Sequence, residues 1–111
     1  MSNNTIRRNL IDAINEMTQL LEACNDADQK FKIRIKIREL FHELDKVIVA
    51  TLDSGTDEFK EALKSLKELT KQAKEARDDL EKVAKTINKA AKAIGKVEKL
   101  VKGVVGVIAV L

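Results

Sequence analysis

Glu39 and His42 are the two side chains in this sequence whose spacing best suits a shared metal ion. On a helix, residues three apart lie on one face, and di-iron carboxylate bundles use this Glu-x-x-His spacing twice, with two further glutamates. The chain has one histidine, so a symmetric dimer would have to supply the second copy, with Glu16 or Glu22 as extra ligands. A helical wheel places His42 away from the apolar side of its helix. We therefore expect a surface histidine and no metal or other cofactor.

Two pairs of adjacent carboxylates, Asp57 with Glu58 and Asp78 with Asp79, are the other candidates for chemistry. General acid–base catalysis needs a carboxylate in a cleft that shifts its pKa. These pairs are predicted at a helix start and on a solvated face. The sequence also contains no glycine-rich phosphate-binding loop and no G-x-S-x-G nucleophile motif. We expect that the protein is not an enzyme, and we assign no catalytic residue.

The composition predicts an all-α fold. A length of 111 residues allows one domain, spanning 1–111. The chain has no proline, four glycines and three aromatic residues, all of them phenylalanine, which argues against the many turns of a sandwich or barrel. Its 44% of hydrophobic residues argues against disorder, and one cysteine excludes an intramolecular disulfide framework.

Apolar residues recur at alternating intervals of three and four along three segments, which predicts helices at about 4–24, 28–52 and 57–111. One stretch conflicts with this, because residues 31–38 alternate apolar and basic side chains as an exposed strand would. Helix is favoured there, since the helical stripe continues through the stretch and a lone strand would have no partner.

The third segment keeps its interval of 3.5 residues without a miss from Phe59 to Leu111, the pattern of a coiled coil. The prediction is an antiparallel bundle of three to four helices with a long, coiled-coil-like C-terminal helix. Breaks or kinks near residues 77–79, where Asp79 could cap a new helix, or near Gly95 are the alternatives. An unbroken helix would leave its far half uncovered, so we expect a homo-oligomer, with a dimer favoured.

Two sets of apolar residues are predicted to bind a protein partner. Phe31 and Ile35 point away from the main stripe of the second helix and need another contact. The C-terminal tail is apolar on every side, as a buried or inserted tip would be. The predicted partner-binding residues are Phe31, Ile35, Val104, Val107, Ile108 and Leu111.

Basic residues concentrate in the C-terminal third, where residues 82–111 carry seven lysines and one acid. Six of these lysines repeat at intervals of three and four and form one stripe. A helix with a broad apolar face and a lysine face resembles helices that lie on anionic membranes. The predicted anionic-surface-binding residues are Lys82, Lys85, Lys89, Lys92, Lys96 and Lys99. Nucleic acid is disfavoured, because the stripe has no arginine and the rest of the chain is acidic.

The sequence begins with polar residues, shows no apolar signal-peptide core and contains no apolar run of 18 residues, so we expect a cytoplasmic protein, with peripheral membrane association as the alternative. No motif selects a family. The leading hypothesis is a non-enzymatic protein–protein interaction module, an oligomeric helical bundle that binds a partner through apolar helix faces. The alternative is a membrane-associated or membrane-active protein that uses the basic C-terminal helix and the apolar tail.

Overall fold

The computed structural model describes the backbone of residues 2–77 and 79–110 and the side chains of residues 4–77 and 79–102. The described chain forms four helices and no strand, which confirms the all-α prediction. The helices are α1 (Ser2–Ala23), α2 (Ala27–Val49), α3 (Asp57–Ala76) and α4 (Leu80–Val110). Residues 31–38, which alternate in the sequence, lie within α2.

The four helices pack as a compact bundle in the cyclic order α1, α2, α4, α3. Three-residue connections join α1 to α2 and α3 to α4, and such short connections make each pair antiparallel. The side-chain amide of Gln29 donates to the carbonyl of Leu80 at 3.0 Å, so α2 and α4 begin at the same end of the bundle. The helices α2 and α4 are therefore parallel neighbours.

The core is built mostly from residues of the predicted apolar stripes, although Leu80, which falls on the third stripe, is 59% exposed. The α1 residues at these intervals of three and four are all buried, as is Cys24 just beyond the helix end: Ile6, Leu10, Ala13, Met17 and Leu20. Burying a side chain of this kind stabilises the fold by roughly 1.5–3 kcal/mol. The largest fully buried apolar side chains are Ile6, Leu10, Met17, Ile33, Leu40, Leu66, Leu69, Val47, Val83 and Val97.

The predicted segment 57–111 is not one continuous helix, because α3 ends at Ala76 and α4 begins at Leu80, at the first of the two alternative break points. Arg77 has a φ of 47°, which a right-handed helix cannot accommodate. The side chain of Asp79 then accepts from the backbone N–H of Lys82 at 3.1 Å and caps the new helix. The antiparallel return lets the two halves of the apolar stripe bury against each other. Gly95, the other candidate break, lies within α4.

The second helix ends at Val49, three residues before the predicted end at residue 52. Ala50 adopts an extended conformation, and Leu52 is buried within the connection to α3. The hydroxyl of Thr56 accepts from the N–H of Phe59 at 3.2 Å and caps α3. Asp26 caps α2 in the same way, accepting from the N–H of Gln29 at 2.9 Å.

Candidate interaction surface

The outward side of α2 carries large apolar side chains that the bundle leaves uncovered. Of the two residues predicted to lie away from the main stripe, Phe31 is 60% exposed and Ile35 is half-buried. The sequence analysis missed Phe41 and Ile48 on the same helix, which are 50% and 52% exposed. The side chains of the predicted tail residues Val104, Val107 and Ile108 lie outside the described part of the chain, as does Leu111.

The exposed side chains of α2 belong to a second stripe with its own regular spacing. Its members follow one another at intervals of 3, 4, 3, 4 and 3 residues, the same alternation that marks the core stripes. This spacing was a signal in the sequence, but the charged members interrupt its apolar character. We call it the outer stripe of α2, and it consists of Phe31, Arg34, Arg38, Phe41, Asp45 and Ile48.

An open groove between α1 and α2 runs beside the outer stripe. Leu21 of α1 and Ile37 of α2 are half-buried in it, and Thr18 lies at its α1 edge. Arg34, Arg38 and Phe41 of the outer stripe line its other wall. The stripe therefore borders an apolar depression flanked by two guanidinium groups, a combination that is common where proteins bind one another.

Three of the four lysines of α2 form ion pairs within the helix, whereas Lys30 and both arginines form none among the described side chains. Lys32, Lys36 and Lys46 each contact a carboxylate on the same helix at 3.0–3.4 Å. Arg34 and Arg38, by contrast, have no carboxylate within ion-pair distance among the described side chains. The carboxylates of α2 that lie near lysines are thus occupied, and the two arginines stay available for an external anionic group.

The six-lysine stripe of α4 lies beside α3 and is partly neutralised by it. Lys96 contacts Glu61 at 3.1 Å, and Lys89 contacts Glu68 at 4.0 Å. The hydrogen bond and positive charge of Lys96 hold the pKa of the Glu61 carboxyl below its usual value. Four members have no such contact among the described side chains and are exposed: Lys82, Lys85, Lys92 and Lys99.

Glu43 is the one charged side chain that the described structure buries, and the sequence analysis did not single it out. Its residue is 1% exposed and lies on the side of α2 that faces α4. Lys46 contacts one carboxylate oxygen at 3.2 Å, but no described group donates to the other, Oε1. Burial raises the pKa of Glu43, and the nearby charge of Glu98 adds to this, whereas Lys46 opposes it.

The residues first considered for metal binding or catalysis do not converge. His42 is exposed, as predicted, while Glu39 contacts Lys36 at 3.0 Å. Within the described side chains, no group of three or more histidine, cysteine, aspartate or glutamate residues could hold a metal ion. Asp57 and Glu58 follow the cap of α3 and Asp79 caps α4, whereas Asp78 lies outside the described residues.

Among the described residues, no helix combines the length and the apolar character that crossing a bilayer requires.

Comparison with protein-family models, with curated proteins and with solved structures finds no match for this chain.

Proposed function

We propose that this protein is a non-enzymatic protein–protein interaction module, an oligomeric helical bundle that binds through the outer face of α2. The observation that carries the proposal is the exposure of Phe31, Phe41 and Ile48, each at least half exposed on one helix. Isolated exposed apolar residues are normal on a protein surface, but a regular series along one face marks an interaction site.

The bundle does not need this face for its own core. The inward stripe of α2, with Ile33, Leu40 and Val47, is fully buried. An outward phenylalanine adds nothing to that packing and exposes apolar surface to water. Contact with another protein removes this apolar surface from water, which stabilises the complex by roughly 25 cal/mol for each Å² buried. A helix with two apolar sides can pack on its own bundle with one side and on a partner protein with the other.

The proposal is tested by measuring the mass of the protein in solution over a wide range of concentrations by light scattering or sedimentation. A variant carrying Phe41→Gln and Ile48→Gln removes two exposed apolar side chains and keeps good helix formers in α2. Leu80→Gln is the matched control, because Leu80 is 59% exposed but begins α4. Circular dichroism verifies that each variant keeps the helical fold.

We expect the parent protein and the Leu80 variant to associate as concentration rises, and the α2 variant to remain a monomer. A parent protein that stays monomeric at every concentration, or equal association by all three proteins, contradicts the proposal.

Association with anionic membranes is the second candidate function, and the exposed lysines of α4 favour it. In this proposal, Lys85 and Lys92 meet lipid headgroups while the apolar tail around Ile108 inserts. Flotation with anionic and neutral vesicles at low and high salt tests it. Binding to anionic vesicles that survives high salt supports insertion, whereas no binding removes this candidate.

A further inference from the structure

The outer stripe of α2 has a symmetry that identifies a partner for it. Its intervals of 3, 4, 3, 4 and 3 residues read the same in both directions, about a midpoint between Glu39 and Leu40. A second α2 that runs antiparallel across this midpoint therefore places each stripe residue opposite another stripe residue. Antiparallel coiled coils pack in this way, because the two kinds of position in a 3-4 repeat face each other.

The pairs that this symmetry creates are chemically complementary. Phe31 lies opposite Ile48 of the second copy, so two exposed apolar side chains cover each other. Arg34 lies opposite Asp45, which gives an ion pair between the copies. Arg38 lies opposite Phe41, where a guanidinium group can stack on the aromatic ring.

The two-fold axis repeats every one of these contacts, which is the property of an isologous interface. A parallel arrangement of the same two helices would instead place Arg34 against Arg34 and Asp45 against Asp45, both repulsive.

The charges of the stripe lack partners within the chain. Among the described side chains, Arg34, Arg38 and Asp45 form no ion pair, although Lys32 and Lys36 on the same helix do. Arg34 and Asp45 are eleven residues apart, about 16 Å along the helix, so they cannot neutralise each other within one copy. The antiparallel pairing supplies both with a partner.

The flanks of the stripe are also apolar enough to exclude water from such a seam. Ile35 and the exposed Val49 lie along one edge, on either side of the exposed His42. Along the other edge, the groove offers the half-buried Ile37 and, from α1, Leu21. Contacts at a seam are strengthened when neighbouring apolar side chains keep water away from them.

We propose that two copies of this protein pair antiparallel through the outer stripes of their α2 helices. This arrangement rests on the proposed interaction function and specifies its partner and geometry. The stripe covers 17 steps along the helix, or about 26 Å, which is short for a protein interface. Small interfaces give weak complexes, so we expect a dimer that dissociates at roughly micromolar concentrations.

Reversing the charges of the predicted ion pair tests the geometry. The variants are Arg34→Asp, Asp45→Arg and the double variant that carries both changes. Lys67→Asp is the matched control, since it makes the same change of charge on an exposed side chain of α3. The measured quantity is the dimer dissociation constant from sedimentation or light scattering, with circular dichroism to verify the fold.

We expect each single reversal to weaken the dimer at least about tenfold, because it creates two like-charge contacts in each dimer. The double variant and an equimolar mixture of the two single variants should both recover dimerisation, and the α3 control should behave as the parent. Recovery in the double variant is specific to the antiparallel pairing.

This arrangement is overturned if neither single charge reversal weakens the dimer, or if the double variant does not restore dimerisation. The wider interaction proposal survives that result if Phe41→Gln with Ile48→Gln still yields monomers. A parent protein that is monomeric throughout overturns both.

Discussion

The buried carboxylate of Glu43 lowers the stability of the bundle at neutral pH. The Glu43 side chain is 2% exposed, and its Oε1 atom has no hydrogen-bond donor among the described residues. Leaving a buried acceptor unsatisfied costs about 1–3 kcal/mol. The compensating ion pair with Lys46 is weak, because the lysine is 41% exposed and solvent screens it, which limits its contribution to about 1 kcal/mol.

Glu43→Leu removes the unsatisfied acceptor, fills a similar volume with an apolar side chain and leaves Lys46 free to reach solvent. We expect the variant to be more stable than the parent by about 1–2 kcal/mol at pH 7. For a chain of this length, the melting temperature should rise by about 4 °C for each kcal/mol. Thermal and urea unfolding followed by circular dichroism measure the change.

The advantage of Glu43→Leu should shrink as the pH falls. Burial raises the pKa of Glu43 above 4.5, its ordinary value, so the folded state favours the protonated carboxyl. For such a group, the stability of the parent is fully present below the unfolded pKa and is lost as the pH rises through the folded pKa. The difference between variant and parent is therefore largest at pH 7 and declines towards pH 4.5.

Glu39→Leu is the matched control, because Glu39 lies on the same helix and also contacts a lysine, but is 41% exposed in its side chain. We expect it to change stability by no more than about 0.5 kcal/mol. A Glu43→Leu variant that is less stable than the parent at pH 7, or whose difference is independent of pH, refutes this reasoning.

Other predictions concern the core, the helix ends and the surface. Leu66→Ala should lower stability by about 2–5 kcal/mol in urea unfolding, because Leu66 is fully buried. Thr56→Ala should lower it by about 1 kcal/mol through loss of the α3 cap. Arg77→Gly should raise it by about 1 kcal/mol, since a φ of 47° strains any residue with a side chain. Lys96→Gln should raise the pKa of Glu61 towards its ordinary value in an NMR titration, because the lysine holds that pKa down.

The sequence by itself determined the helical fold and most of its core. The 3-4 spacing of apolar residues identified the side chains that α1 buries, because such a stripe can be removed from water only against other helices. It also located Phe31 and Ile35 outside the core, since their positions on the wheel of α2 are fixed by the helical repeat. Local capping chemistry also marked Asp79 as a candidate helix start, and its side chain caps α4.

The tertiary structure decided features that the spacing of apolar residues along the chain cannot predict. The stripe from Phe59 onward keeps its register through Arg77, so only the folded chain reveals that it reverses there and packs against itself. The sequence shows Lys96 only as a member of the basic stripe, whereas in the folded protein a carboxylate oxygen of Glu61 on α3 lies 3.1 Å from its amine. Glu43 resembled any surface carboxylate, and only the neighbouring helices bury it. These features depend on which helices become neighbours, and that choice is made by the packing of all four helices together.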